Sequence, residues 1–283
     1  MQKRHLDPER YEPDEDGFPR EIVGPWVREK HARLERYVGI SSAVRKKFIG
    51  PGNAGATFID LFCGPGRARI KDETQVIHGS PIAAWEEAIK WKSAFTQIHI
   101  ADAEEFLLEA AETRLRRIDA PVQSELGLAS ETVSRIIRKL SQYGLHFAFL
   151  DPYKLGALPF GIIRKLATIE RMDILVHISG QDLQRNLDRY IAQEDSPLDK
   201  FAPGWRTYVD AKRPQPVVRA EILKHWRRLL SAEGMTTAET FEKVKGSNNQ
   251  PLYWLAFAAR HPLALEFWDK IRDVSPGGQL SLL

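Results

Sequence analysis

A short apolar run that ends in a glycine turn constrains the fold of this chain more than any other segment. In FIDLFCGPGRAR (58–69), the run carries Asp60 near its end, and Gly64 and Gly66 follow it. Glycine tolerates positive φ and lets the backbone approach a ligand closely. The pattern therefore predicts a buried strand with a tight turn at its carboxyl end. In doubly wound sheets, the ligand crevice lies at the carboxyl ends of the strands.

Further apolar runs alternate with helical patterns along the rest of the chain. We predict strands at 97–102, weakly at 120–123, and at 145–151 and 173–179, with helices between them at 104–117, 132–140 and 160–169. HGSP (78–81) opens another helix, with Ser80 as N-cap and Pro81 as first helical residue. Helices at 182–192 and 218–230, a hairpin of 237–246 with 251–260, and a helix at 264–271 complete the pattern. This predicts an α/β fold with a doubly wound, mostly parallel, seven-stranded sheet and a C-terminal antiparallel hairpin.

Length and composition indicate one large domain with additions. The 283 residues carry a net charge of +3, and residues 1–25 hold four basic and seven acidic side chains. We expect residues 1–25 to form a polar, extended or poorly ordered arm. The domain itself spans 26–283, with a helical segment at 26–50. Prolines and a glycine within 193–217 predict an irregular insertion or lid there.

Cysteine usage and hydropathy exclude several classes of protein. Cys63 is the single cysteine, so no intrachain disulfide and no four-cysteine zinc or iron–sulfur site can form. There is no run of ~20 apolar residues for a membrane span and no apolar signal core in the first residues. We expect a soluble, cytoplasmic protein without a metal.

The ligand of the glycine turn is open to several interpretations. A dinucleotide site would prefer a third glycine, and an acidic residue ~20 residues later for the ribose. Here Arg67 and Arg69 follow the second glycine, and Asp102 comes much later, because we expect residues 67–80 to form a long loop. The chain has no GxxxxGK[ST] motif, which excludes a P-loop. A tight turn without a ligand is the structural alternative.

A second motif lies at the carboxyl end of the fourth predicted strand. FAFLDPYKLG (147–156) places Asp151, Pro152 and Tyr153 at the edge that the glycine turn also faces. The Asp151 carboxylate and the Pro152 carbonyl could accept hydrogen bonds from an exocyclic amine and stabilise charge formed during methyl transfer. Tyr153 could stack on a nucleobase. An Asp-Pro turn with a packing tyrosine is the structural alternative.

Together these residues resemble class I S-adenosylmethionine (SAM)-dependent methyltransferases. The resemblance extends most closely to the three-Cys-motif partner protein family and, more weakly, to ribosomal RNA adenine-N6 methyltransferases. It rests on Trp26 and Lys30 with Tyr37, on DLFCGPGR (60–67), GSP (79–81), FLDPY (149–153) and the aromatic hairpin near Trp254. It implies a Rossmann-like class I methyltransferase fold that binds SAM. The implied cofactor-binding residues are Lys30, Asp60, Phe62, Gly64, Gly66, Ser80 and Asp102.

The resemblance also implies that Asp151 faces the acceptor and that a three-Cys-motif protein is a partner. Amino-methyltransferases usually carry two prolines in this motif, and this chain carries one. Cys63 lies in the glycine turn, which excludes the Pro-Cys nucleophile of cytosine-C5 methyltransferases.

Basic side chains suggest a nucleic-acid substrate. Residues 201–260 hold ten Lys/Arg against five Asp/Glu, and Arg67 and Arg69 lie beside the expected site as candidate substrate contacts. The leading hypothesis is methyl transfer to an exocyclic amine of a nucleobase in RNA or DNA. The alternatives are a non-catalytic or partner-dependent SAM-binding subunit and, less favoured by the glycine spacing, a nicotinamide-dependent dehydrogenase.

Overall fold

The computed structural model describes residues 7–238, 241–245 and 251–272. The strands are β1 (Tyr11–Pro13), β2 (Pro19–Val23), β3 (Ala56–Asp60), β4 (Arg67–Ile70), β5 (Val76–His78), β6 (Gln97–Asp102), β7 (Val122–Leu126), β8 (Leu145–Leu150), β9 (Met172–Ser179), β10 (Thr236–Thr237), β11 (Glu242–Lys245) and β12 (Pro251–Ala259). The helices are α1 (Val27–Ile40), α2 (Ser42–Arg45), α3 (Ser80–Lys90), α4 (Glu105–Arg116), α5 (Ala129–Ile137), α6 (Phe160–Leu166), α7 (Gly180–Ala192), α8 (Pro197–Phe201), α9 (Trp205–Tyr208), α10 (Gln215–Ala232) and α11 (Pro262–Arg272).

The main sheet has the order β10-β12-β9-β8-β3-β6-β7, with β11 also paired to β12. Strands β7, β6, β3, β8 and β9 run parallel, and β12 pairs antiparallel with β9. Counting β10 and β11 as one interrupted edge, this is the predicted seven-stranded, mostly parallel sheet. The strands of the predicted hairpin are confirmed, and its turn at 246–250 lies outside the described residues.

The central strands are covered on both faces, which explains their nearly continuous apolar sequences. Alternate residues of one strand point to opposite faces. In β8, Ala148 and Leu150 pack into the core layer that contains α5, α6 and α10. Phe147 and Phe149 pack into the other layer, with α1, α3 and α11.

A second, four-stranded sheet has the order β1-β2-β4-β5, and it corrects two expectations. Residues 11–23 of the N-terminal arm form β1 and β2, and part of the loop expected at 67–80 forms β4 and β5. β1 and β2 pair antiparallel, and β2 runs parallel to β4. We call residues 10–23 the N-terminal ribbon.

Buried ion pairs explain why an acidic arm folds onto the domain. Arg114 of α4 is 4% exposed, and its guanidinium contacts Asp14 at 3.2 Å and Asp16 at 2.7 Å. The same guanidinium donates to the carbonyls of Pro19 (2.9 Å) and Pro65 (2.6 Å). Arg114 therefore ties the N-terminal ribbon to the glycine turn.

Two further expectations are corrected in detail. The segment 193–217 contains α8 and α9 and buries Leu198, Phe201 and Trp205, so its side chains belong to the core and do not form an open lid. Gly79 is the N-cap of α3, whereas the prediction placed Ser80 there, because the Ser80 hydroxyl donates to Asp60. In the described ranges, no helix is long and apolar enough to span a membrane.

Candidate functional site

The candidate site lies where the order of the strands reverses. β3 pairs with β6 on one side and with β8 on the other, although β8 follows β6 and β7 in the chain. Such a switch point leaves a crevice at the carboxyl ends of the strands. Asp60 ends β3, Asp102 ends β6, and Asp151 follows β8 directly. The predicted acidic residues therefore meet at one edge of the sheet.

The glycine turn uses its two glycines differently. Gly66 has a φ of 80°, and a Cβ there would lie 3.3 Å from the Ala111 Cα, so this glycine permits close packing against α4. Gly64 has a φ of 55°, and the nearest atom to a Cβ there would be Glu21 Oε2, at 3.8 Å. Among the described residues, the chain neighbours of Gly64 aside, no other atom lies within 4 Å of that position, so the backbone at Gly64 leaves room for the close approach of a ligand.

The carboxylates of Asp60 and Asp102 hold this turn by accepting hydrogen bonds from its backbone amides and from neighbouring groups. Asp60 Oδ1 accepts from the Phe62 amide at 3.0 Å, and Oδ2 accepts from the Ser80 hydroxyl at 2.5 Å. Asp102 Oδ2 accepts from the Gly64 amide at 3.0 Å, and Oδ1 accepts from the Glu104 amide at 2.9 Å. Each Asp102 oxygen keeps a further acceptor position.

Asp151 lies between two basic side chains. Lys30 Nζ of α1 forms an ion pair with Oδ2, and His177 Nδ1 of β9 lies 3.2 Å from Oδ1. Burial raises the pKa of Asp151, but Lys30 and His177 outweigh it, so the pKa lies below its ordinary value. Burial lowers the pKa of His177 to about 4, against the opposing effect of Asp151. At neutral pH, Asp151 is thus ionised and paired with Lys30, while His177 is a neutral neighbour.

Four carboxyl groups, those of Asp60, Asp102, Asp151 and Glu21, lie at this edge of the sheet with the cations Lys30 and Arg10, and Asp60 is fully buried. The pKa of Asp60 is raised to about 7. Burial is the main cause, Asp151 and Asp102 add to it, and the hydrogen bonds from Ser80 and Phe62 oppose it. Burial also raises the pKa values of Asp102 and Glu21. A cationic ligand near these groups would stabilise their ionised forms.

The N-terminal ribbon contributes residues to the crevice that sequence reasoning missed. Glu21 of β2 faces Gly64, and the Arg10 guanidinium lies over the Tyr153 ring, 4.0 Å from its centroid. Tyr153 is 72% exposed, which agrees with a ring available at the mouth of the site. No local motif marks Glu21 or Arg10, because Glu21 reaches the site through pairing of β2 with β4, and Arg10 through its pairing with β2.

The two arginines expected to contact the substrate have other partners, and two residues of the glycine turn pack against the core. Arg67 pairs with Asp14 at 3.0 Å, and Arg69 pairs with Glu12 at 2.6 Å, so both guanidinium groups bind the N-terminal ribbon. Phe62 is half-buried and packs against the core. Cys63 is buried, and burial raises the pKa of its thiol, so it is a packing residue.

Two cavities lie elsewhere. One of about 400 Å³ lies between α1 and α3, and a larger one of about 690 Å³ lies at the opposite edge of the sheet, beside Tyr37 and Asp173. Within the described ranges, no cluster of three or more His, Cys, Asp or Glu side chains has a geometry that could hold a metal ion.

The strand order, the glycine turn after β3 and the antiparallel β12 define the class I methyltransferase fold, as predicted. No family model matches the chain, and no curated protein matches it. Among solved structures it is similar to an O-methyltransferase from Bacillus cereus in complex with SAH, with 13% identity, 84% of this chain and 82% of that chain covered, and a TM-score of 0.47. It is also similar to an rRNA methylase from Streptococcus thermophilus, with 10% identity, 84% and 97% of the chains covered, and a TM-score of 0.40. Because both scores are below 0.5, the fold assignment rests on the strand order.

Proposed function

We propose that this protein is a SAM-dependent methyltransferase that transfers the methyl group to an exocyclic amine of a nucleobase. The observation that carries the proposal is the open space beside Gly64 at the switch point, flanked by the carboxylates of Glu21 and Asp102. SAM is a sulfonium with an adenosyl group, and it supplies an electrophilic methyl group when bound. Its positive charge suits the acidic crevice.

The cofactor-binding roles follow from the free acceptor positions and the open backbone. Asp102 has an acceptor position left on each oxygen, which suits the two ribose hydroxyls. Gly64 presents backbone to the crevice, while Asp60, through Phe62 and Ser80, keeps the turn in place. Gly66 shapes the turn without facing the ligand. Lys30, expected to bind the cofactor, is assigned instead to Asp151.

The acceptor side is built around Asp151. Lys30 keeps its carboxylate ionised, so it can accept a hydrogen bond from an amine and favour a more nucleophilic nitrogen. The exposed Tyr153 ring offers a stacking surface once Arg10 moves aside, and an extruded base would suit it. Pro152 is buried and joins these two residues. Arg67 and Arg69, engaged by the ribbon, are left out of the substrate site.

The test is incorporation of labelled methyl groups from SAM into total RNA or DNA. We expect Asp151→Asn to lower incorporation about 100-fold or more while binding of S-adenosylhomocysteine is kept. Asp195→Asn is the matched control, because that carboxylate is 81% exposed and outside the site. Calorimetry with SAM and NAD accompanies it. Binding of NAD alone would contradict the proposal and favour the dehydrogenase alternative.

The second candidate function is that of a partner-dependent or non-catalytic SAM-binding subunit. The resemblance of DLFCGPGR and FLDPY to the three-Cys-motif partner family supports it, and so does the Asp151–Lys30 ion pair, which occupies the acceptor carboxylate. The same assay is repeated with a three-Cys-motif protein added. Incorporation only in the presence of that protein would favour the subunit, and equal incorporation with or without it would favour the independent enzyme.

A further inference from the structure

Glu21 is placed over the glycine turn by strand pairing. In the parallel pair of β2 and β4, Glu21 is in register with Ala68, two residues beyond the second glycine. Its Oε2 lies 3.8 Å from the position that a Gly64 Cβ would take. The carboxylate therefore borders the open face of the turn.

The hydrogen bonds of Glu21 are incomplete. Oε1 accepts two long hydrogen bonds from Arg10, both 3.4 Å, and Oε2 accepts none from the described residues. About 29% of the side chain is accessible, although burial raises the pKa of its carboxyl and Asp151 raises it further. Oε2 therefore has the capacity to accept a hydrogen bond from a further donor.

The charges around Glu21 suit an α-amino acid. Arg10 is loosely paired with it and is also stacked on Tyr153, so a negative and a positive side chain lie next to each other beside the glycine turn. An α-amino acid carries an ammonium and a carboxylate on one carbon. The Glu21 carboxylate and the Arg10 guanidinium lie side by side, and their charges are complementary to those of the ammonium and the carboxylate.

We infer that Glu21 binds the α-ammonium group at the amino-acid end of the cofactor. The inference rests on the proposed function, and it makes the N-terminal ribbon part of the cofactor site. Arg10 supplies positive charge beside it that suits the carboxylate of the same amino-acid end. The ribbon would then couple cofactor binding to the acceptor side, because Arg10 also covers the Tyr153 ring.

The test compares three ligands by calorimetry on the full chain. S-adenosylhomocysteine has the ammonium and the carboxylate, its decarboxylated form S-adenosyl-3-thiopropylamine has only the amine, and 5′-methylthioadenosine has neither; all three are thioethers without the sulfonium charge. We expect Glu21→Gln to weaken the first two at least about tenfold, the effect of one lost charge-assisted hydrogen bond. Binding of 5′-methylthioadenosine stays within about twofold, which also shows that the variant is folded.

Glu15→Gln is the matched control, since it removes the same charge from an exposed turn of the same ribbon. We expect it to change none of the three affinities. Equal weakening of all three ligands by Glu21→Gln, weakening of S-adenosylhomocysteine alone, or no weakening would each overturn the inference. If the unmodified protein binds none of the three, the proposed function itself fails.

Discussion

Replacing Asp60 by asparagine tests the electrostatics of the crevice most directly. Asp60 is fully buried, and burial raises its pKa from 3.8 to about 7. Because the pKa is raised in the folded state, that state binds the proton more tightly than the unfolded chain. The stability associated with this proton is fully present below pH 3.8 and is lost as the pH rises towards 7.

The size of the loss follows from the pKa shift. Three pKa units at about 1.36 kcal/mol each correspond to roughly 4 kcal/mol. Roughly 1.5 kcal/mol of this is lost by pH 5, so about 2.5–3 kcal/mol remains to be lost between pH 5 and 8.5. Asparagine imitates the protonated acid and can still accept from Phe62 and contact Ser80. The variant should therefore lack this pH dependence.

The assay is urea unfolding of both proteins at pH 5, 6, 7 and 8.5. We expect the free energy of unfolding of Asp60→Asn, relative to the unmodified protein, to increase by about 2.5–3 kcal/mol over this range. For Asp195→Asn, at an exposed site, the free energy of unfolding relative to the unmodified protein should not change with pH. A difference for Asp60→Asn that stays constant with pH would refute the reasoning.

Further substitutions test the packing of the glycine turn, the attachment of the N-terminal ribbon and the ionisation of Asp151. Gly66→Ala should lower the free energy of unfolding in urea by roughly 1–3 kcal/mol, because the added Cβ would press against helix α4. Gly64→Ala should instead mainly weaken the binding of S-adenosylhomocysteine in calorimetry. Equal affinities of the two variants for this ligand would contradict the different roles of the two glycines. Arg114→Met should cost about 2 kcal/mol or more in the same urea assay, because it removes a buried guanidinium that contacts Asp14 and Asp16, although Asp14 keeps Arg20 and Arg67 and Asp16 keeps Arg117. A loss below about 1 kcal/mol would show that the Arg114 contacts do not hold the ribbon. Lys30→Met should raise the pKa of Asp151 and move the acidic limb of the pH–rate profile to higher pH, because the lysine stabilises the ionised form; an unchanged limb would exclude this role.

Local sequence patterns predicted the main sheet and its acidic edge because they depend on neighbours along the chain. The strand β3 and its glycine turn follow from one apolar run and two glycines. Parallel strands end at the same edge, so Asp60, Asp102 and Asp151 were expected to lie together, and they do.

Long-range pairing decided what the patterns left out. The acidic arm was expected to be extended or poorly ordered because its composition disfavours a core of its own. Arg69 and Arg114, 57 and 100 residues away from their acidic partners, supply the countercharges that hold it. The same contacts remove Arg69 from the expected substrate surface. No window of sequence contains both members of such a pair.

By itself, then, the sequence determined the fold class, the glycine turn and the acidic residues at the carboxyl edge. Only the tertiary structure decided that Lys30 and His177 flank Asp151 and that the ribbon places Glu21 and Arg10 in the crevice. The physical reason is that strand formation depends on residues close in the chain. The ionisation of a carboxylate and its partners depend on every group within a few ångströms in space, whatever its sequence separation.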